Sequence, residues 1–428
     1  MAKRLAVALR GTEGVDVLLA AVSELLDYAE SDWRADVTVI EAESEAVTVS
    51  RRVVHRLFER KLQRRLDDLD AESARRPGRC PECEAPTTSR GRKERGWMSS
   101  LGPLRLQRRC LACTGCGSQC VPSQRDIGLG DSEFTPRFEE VCTLMSSTVP
   151  FDMARGLLEE MCGITASTKG VETMTERRGA ALLDVLAREA EDHCPFDSKG
   201  LPREGVPRPE GARLGSDAPR RAYVEIDGVI PMTRVEIEPS QLSEIDRARI
   251  ERARANKVRG GKGRRFNVVG REVKNAVLYT DDDCVKPDIG RGSLLDKRYV
   301  SHLGEWKAFA KSLWVEMRRQ RFDDATELIL ISDGAEWIRS LADWLPISCT
   351  LILDLFHVKH RIWEAAHALF GQTSKASAWA KRQCARVENG RAKGVIRTLE
   401  SLTPNGSEAR EVVRLLAHYL ESNLDRMD

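Results

Sequence analysis

Two sets of residues in this chain have the types and spacing to do chemistry. The first is a group of cysteines. Of twelve in the 428-residue sequence, half fall between positions 80 and 120. Cys80-Pro-Glu-Cys83 is followed, after 26 intervening residues, by Cys110-Leu-Ala-Cys113-Thr-Gly-Cys116. Two CxxC pairs separated by a hairpin-length insert form the zinc-ribbon pattern, because each pair sits on a tight knuckle and four thiolates can reach one tetrahedral Zn²⁺. Cys80 and Cys83 make the first knuckle. The second can be closed by Cys110/Cys113 or by Cys113/Cys116. Cys113 and Cys116 are preferred, because Gly117 supplies the small residue such knuckles need after the second ligand. With all four positions filled by protein, the Zn²⁺ is expected to be structural. A cluster of buried free thiols is the plain alternative, and the paired spacing argues against it.

The second set is acidic. Asp227 lies in Arg221-Ala-Tyr-Val-Glu-Ile-Asp-Gly, Asp333 ends Leu328-Ile-Leu-Ile-Ser-Asp, and Asp354 ends Thr350-Leu-Ile-Leu-Asp. Asp333 and Asp354 each close a short apolar run, the pattern of a strand buried on both faces, whereas the stretch with Asp227 alternates and puts that acid near the middle or end of a strand. Acids at the carboxyl ends of neighbouring strands converge on the sheet edge where ligands and metals bind. Carboxylates suit hard ions, and two Mg²⁺ (or Mn²⁺) ions can serve the attacking and leaving oxygens of a phosphoryl transfer. Asp227, Asp333 and Asp354 are therefore the expected Mg²⁺ ligands, on an RNase H-like sheet. Spacing alone does not carry this, since an acid after a strand is usually a turn residue or a helix cap.

The elements that must position these groups are legible in outline. Apolar residues at helical spacing predict helices over 15–30 and from Ala46 to about Asp70, with a short strand at Val37–Ile40 between them. Leu101-Gly-Pro-Leu-Arg-Leu-Gln-Arg alternates as a strand inside the cysteine insert. Residues 151–174 have the layout of a helix-turn-helix, with Gly163 ending one helix and Ser167-Thr-Lys opening the next. The second helix could present polar side chains to a DNA groove, although two helices packed for stability alone would look the same. Proline and glycine crowd residues 195–220, which reads as a linker. Strands then follow at 221–230 and Val273–Tyr279, a helix over 303–320, the two strand–acid units, and helices at His360–Leu369, Lys375–Val387 and Ser407–Leu420. Trp337 and Trp363 read as core aromatics, with stacking on a nucleic-acid base as the alternative.

Charge is unevenly spread. Charged residues are 31 % of the chain and the net charge is +2, yet residues 247–274 hold eleven basic side chains and two acidic ones. Within that block Lys257, Arg259, Lys262, Arg264 and Arg265 are the expected DNA-phosphate contacts, with an exposed mobile loop as the plain reading. No run approaches the length of a membrane span and no signal-peptide pattern opens the chain. The expected location is the cytoplasm, where thiols stay reduced.

Glu225-Ile-Asp-Gly, Arg271-Glu-Val-Lys-Asn-Ala-Val-Leu-Tyr, Ile331-Ser-Asp-Gly-Ala-Glu-Trp-Ile and Leu353-Asp-Leu-Phe-His-Val-Lys-His together resemble the DDE transposases of bacterial insertion sequences, specifically the ISKra type. The resemblance extends upstream to Cys80-Pro-Glu-Cys, Cys113-Thr-Gly-Cys-Gly, Pro122 and Ile127-Gly-Leu-Gly, and so covers roughly residues 75 to 428. It implies that Asp227 and Asp333 are the first and second catalytic acids. Asp354 and His357 then form the Asp-x-x-His signature, with His357 orienting water, phosphate or a carboxylate. It also implies DNA as partner, both element ends and target, and homo-oligomers assembled on that DNA. The family's third acid, a Glu in Gly-Ser-Gly-x-x-Glu, occurs nowhere in this sequence, and a C-terminally truncated, impaired transposase is the resulting expectation.

The expected architecture is α/β plus α. Residues 1–75 form a helical N-terminal region, 76–130 the zinc ribbon, 131–194 helix-turn-helix-like helices and 195–220 the linker. An RNase H-like core covers 221–360 and a helical insertion 361–428. A non-catalytic DNA-binding remnant and an RNase H-like nuclease without joining activity are the rival expectations.

Overall fold

The computed structural model of the protein describes residues 15–74, 78–211, 218–255, 266–286 and 292–427. The chain divides into two compact units, Met1–Leu183 and Asp184–Asp428.

In the first unit, helices α1 (Val15–Glu30) and α2 (Val39–Ala74) are joined through Glu24, which pairs with Arg52 and Arg56 of α2 at 3.0 and 2.6 Å. The strand expected at Val37–Ile40 is absent, because Val39 already begins α2. Thr38 caps the helix instead, its backbone N–H and hydroxyl both donating to Glu41. A hairpin of β1 (Thr87–Ser99) and β2 (Gly102–Cys113) follows, extended by β3 (Gln119–Cys120). One edge of β2 would leave backbone N–H groups unpaired. Side chains of α2 take them: Glu59 accepts from Arg105, Gln63 from Gln107 and Asp70 from Arg109, at 2.7–2.9 Å. Leu66 of α2 packs with Trp97, Leu104, Leu106 and Leu129 beneath the hairpin.

Beyond the short α3 (Pro122–Asp126), α4 (Pro136–Thr148), α5 (Phe151–Cys162) and α6 (Thr168–Asp192) share a core of Phe138, Cys142, Ala154, Leu158, Ile164, Val171 and Met174. Gly163 ends α5 in the left-handed conformation, φ 64°, where a side chain would be strained. The division between the units falls within α6.

The second unit is built on a five-stranded sheet of β4 (Arg221–Val229), β7 (Val273–Thr280), β10 (Arg298–Leu303), β11 (Glu327–Ser332) and β12 (Thr350–Leu353). Its spatial order is β10-β7-β4-β11-β12. The first three strands in sequence are antiparallel, and β4, β11 and β12 are parallel. In sequence order this is third, second, first, fourth, fifth. Two small ribbons lie outside the sheet, β5 (Met232–Glu236) with β6 (Phe266–Gly270) and β8 (Cys284–Val285) with β9 (Ser293–Leu294). Of the basic block, residues 247–255 belong to helix α7 (Glu244–Ala255). Lys257, Arg259, Lys262, Arg264 and Arg265 lie outside the described residues.

Helices α8 (Trp306–Arg319) and α9 (Glu336–Trp344) cover one face of the sheet, placing Phe309, Leu313, Met317, Ile338 and Leu341 on Ala222, Val224, Ile226, Leu278 and Leu330. Burying a large aliphatic side chain contributes about 1.5–3 kcal/mol, so this face contributes heavily to the unit's stability. A second core joins α10 (Leu355–Phe370), α11 (Ser374–Glu388), α12 (Ala392–Glu400) and α13 (Ser407–Ser422) around Ile362, Ala380, Val395 and Leu420. Helix α12 went unread in the sequence and α10 starts five residues earlier than expected.

The proline- and glycine-rich stretch is tied down over much of its described part. Phe196 packs edge-on to Trp344, and Arg208 bonds Asp323 and Asp324. No helix of the described residues is long and apolar enough to cross a membrane.

Candidate functional site

The cysteine knuckles are built by backbone turns of matching form. The Cys80 N–H donates to the Ala85 carbonyl and the Cys113 N–H to the Ser118 carbonyl, both at 2.9 Å. After the second cysteine of each pair the chain turns left-handed, at Glu84 (φ 59°) and Gly117 (φ 76°). One ligand atom from each of Cys80, Cys83, Cys113 and Cys116 lies within 4.8 Å of the others. The Cys80–Cys116 and Cys83–Cys113 sulfurs are 3.7 and 3.4 Å apart. Four thiolates about 2.3 Å from a tetrahedral Zn²⁺ stand about 3.8 Å from one another, so the set fits a structural ion such as zinc. Cys110 is outside the group, its sulfur 3.9 Å from the Arg108 carbonyl. The group therefore includes Cys113 and Cys116 and leaves Cys110 out.

The thiols do not share their protons evenly. The Ser118 hydroxyl beside Cys116 pulls its pKa down to about 6, and the Cys116 N–H lowers that of Cys113. Cys83 is pushed up to about 12. The Ala85 N–H works against that shift, but hydrogen bonds with Cys113, Cys116 and Cys80, together with burial, outweigh it.

The acids are aligned by strand register. Ile226 of β4 stands beside Ser332 of β11, and Ser332 beside Leu353 of β12. The next residues are Asp227, still within β4, and Asp333 and Asp354, the first residues past β11 and β12, so three acids stand at one level on three adjacent parallel strands. Each has one carboxylate oxygen held by a local backbone N–H. Gly228 donates to Asp227 at 2.8 Å, Ala335 to Asp333 at 3.0 Å and Phe356 to Asp354 at 2.8 Å. Asp354 thereby caps α10, which is the ordinary reading of an acid after a strand, and keeps its second oxygen for other use.

His357, one turn into α10, stands between two of the acids. Its Nε2 is 3.6 Å from Asp354 Oδ2 and 3.9 Å from Asp227 Oδ1, beyond hydrogen-bonding reach but within ion-pair range of both when the ring is protonated. The donors are hard carboxylate oxygens of the kind Mg²⁺ takes. They are less tightly gathered than the thiolates: among the described residues the cysteines are the one group of ligand atoms within 4.8 Å.

The corner carrying Asp333 is clamped by residues that no sequence signal singled out. The Tyr419 hydroxyl of α13 donates to the Asp333 carbonyl at 2.8 Å, and burial pushes that phenol's pKa up to about 12. Gly334 has φ 86°, and a Cβ there would stand 2.8 Å from Asn423 Oδ1 and from Leu353 Cδ1. Beneath Asp227, in register with Gly228, Lys274 is only 5 % exposed. Its ammonium donates to Glu272 at 2.6 Å and to the Gly304 carbonyl at 2.9 Å, over the Trp337 ring. A lysine at a core-facing position of an alternating strand was the sequence cue for that last feature. Trp337 and Trp363 are packed against the two cores, as their plain reading had it.

A family model described as Uncharacterised protein family (UPF0236) aligns with residues 270–427. The match is less than half of the chain and includes Asp333, Asp354, His357 and the helices α8–α13, while Asp227 and the four cysteines lie upstream of it. No curated protein matches the chain.

Proposed function

We propose that this protein is a DNA-binding protein of the insertion-sequence transposase type, whose second unit is an RNase H-like core for phosphoryl transfer on DNA. One observation carries the reading: Asp227, Asp333 and Asp354 stand at the same level on three adjacent parallel strands. The strand order third-second-first-fourth-fifth supports the RNase H-like assignment. In this reading Asp227 and Asp333 are the catalytic acids, Asp354 shares in holding Mg²⁺ or Mn²⁺, and the bacterial cytoplasm is the setting. When bound, such ions lower the pKa of the attacking water and neutralise charge on the phosphate. The chain's own part is to fix the acids. The backbone N–H bonds orient each carboxylate, the Tyr419 bond holds the Asp333 corner, and His357, beside Asp227 and Asp354, orients water, phosphate or a carboxylate. The zinc ribbon and the paired helices α5 and α6 supply DNA contact, and copies of the chain assemble on the element ends.

A supercoiled plasmid incubated with the protein and Mn²⁺ or Mg²⁺ tests this directly. Nicking by the wild type that falls to background in Asp227→Ala and Asp333→Asn is the expected result. Equal background in all three would falsify the catalytic reading. Pre-cleaved element ends then separate a transposase, which joins them to target, from a nuclease, which does not. A second reading, a DNA-binding protein without catalysis, is favoured by the looser spacing of the carboxylates relative to the thiolates. It predicts plasmid binding without metal-dependent nicking.

A further inference from the structure

The rim of the acidic site is unexpectedly apolar. Phe356 is 74 % exposed, although it lies two residues from Asp354 and next to His357. Leu355 and Ile352 beside it, and Val229 and Ile230 just past Asp227, are also exposed. Phe356 is not loosely held. Its backbone N–H bonds the Asp354 carboxylate at 2.8 Å, it sits in the first turn of a sixteen-residue helix, and its ring lies edge-on to His357 with centroids 6.3 Å apart. An aromatic ring in water gains nothing by standing there, and residues that meet a polyanionic backbone are ordinarily cationic or hydrogen-bonding.

We propose that Phe356 is a base-stacking residue. On the reading of the second unit as a DNA-processing core, an unpaired base next to the phosphate at Asp227 and Asp354 lies against the Phe356 ring. The physical basis is that every base has an apolar face that stacks on an aromatic side chain, largely independently of sequence. Unstacking a base costs a few kcal/mol, and a fixed aromatic surface at the site returns part of that cost. Anchoring the Phe356 backbone on the same carboxylate that borders the reacting phosphate couples base position to phosphate position. Phe356 thus takes the place that the sequence had left open to Trp337 and Trp363, both of which are packed in cores.

The test is fluorescence anisotropy of a labelled DNA duplex bearing a short single-stranded dT overhang, with full-length wild type, Phe356→Ala, Phe356→Leu and Phe356→Trp. Stacking predicts a loss of roughly 5- to 100-fold in affinity for Ala and Leu and near-retention for Trp. The same factor should appear at every salt concentration, because stacking releases no counterions; a lost phosphate contact would instead flatten the slope of log K against log salt. A blunt duplex should distinguish the variants less. Circular dichroism should show all four folded alike, since the side chain is exposed. Wild-type binding with unchanged affinity in Phe356→Ala overturns this inference alone. So does a Leu variant that binds as well as the wild type, or a variant that alters self-association in sedimentation but not DNA binding. Absence of any DNA binding by the wild type overturns both the inference and the functional reading beneath it.

Discussion

At the level of single residues, the proton positions in the cysteine cluster make a measurable claim. At neutral pH Cys116, with a pKa near 6, is already a thiolate, whereas Cys83, pushed up to about 12, keeps its proton. Zinc binds thiolates, so uptake by the metal-free protein must expel the Cys83 proton but not one from Cys116. Calorimetry in buffers of different ionisation enthalpy should therefore report proton release of less than four per ion. Apparent affinity should rise with pH above neutrality and weaken as pH falls through about 6, where Cys116 also becomes protonated. Release of four protons at neutral pH would contradict the arrangement. A second residue-scale expectation concerns Glu84, the left-handed partner of Gly117. An L side chain in that conformation costs roughly 1 kcal/mol, part of which the unfolded state reclaims when glycine is introduced. Glu84→Gly should be neutral to stabilising by up to about 1 kcal/mol in urea denaturation of the zinc-loaded protein, whereas Gly117→Ala should destabilise.

At the level of elements, the contact between α13 and the end of β11 matters most. Gly334 allows Asn423 and Leu353 to close on the Asp333 corner, and Tyr419 fastens it. Gly334→Ala combines a positive φ with a Cβ that must displace both neighbours, and should cost about 1–3 kcal/mol. Tyr419→Phe keeps the ring and removes one hydrogen bond, at a cost of about 0.5–1.5 kcal/mol. Thermal melts check both, and a Gly334→Ala variant as stable as wild type would show that the corner is not closed as described. On the ribbon, α2 serves as the cover for an otherwise open strand edge. Leu66→Ala beneath the hairpin should lose about 2–5 kcal/mol, because Leu66 is fully buried against Trp97, Leu104 and Leu106.

For the whole molecule, two units with separate cores imply separable stabilities. Binding of zinc to the folded ribbon is folding free energy for the unit that contains it. A chelator should lower the first unit's melting transition, followed by differential scanning calorimetry. The transition of the sheet unit should stay where it was. One transition moving as a whole would show that the two units melt together.

The sequence by itself determined what local chemistry determines. Paired cysteines, apolar runs ending in acids and helical periodicity gave the knuckles, β4, β11 and β12, and most helices, because each depends on neighbours a few residues away. It misread Val37–Ile40, where a cap formed by Glu41 outweighs the β-branched composition. Tertiary structure decided what depends on distant contacts. Register across β4, β11 and β12 brought three acids to one level, the fold of the second knuckle chose Cys116 over Cys110, and α13 closed on Asp333 from more than eighty residues away. Exposure was also beyond the sequence: Trp337 and Phe356 are both aromatic and both near an acid, and only packing made one a core residue and left the other on the rim.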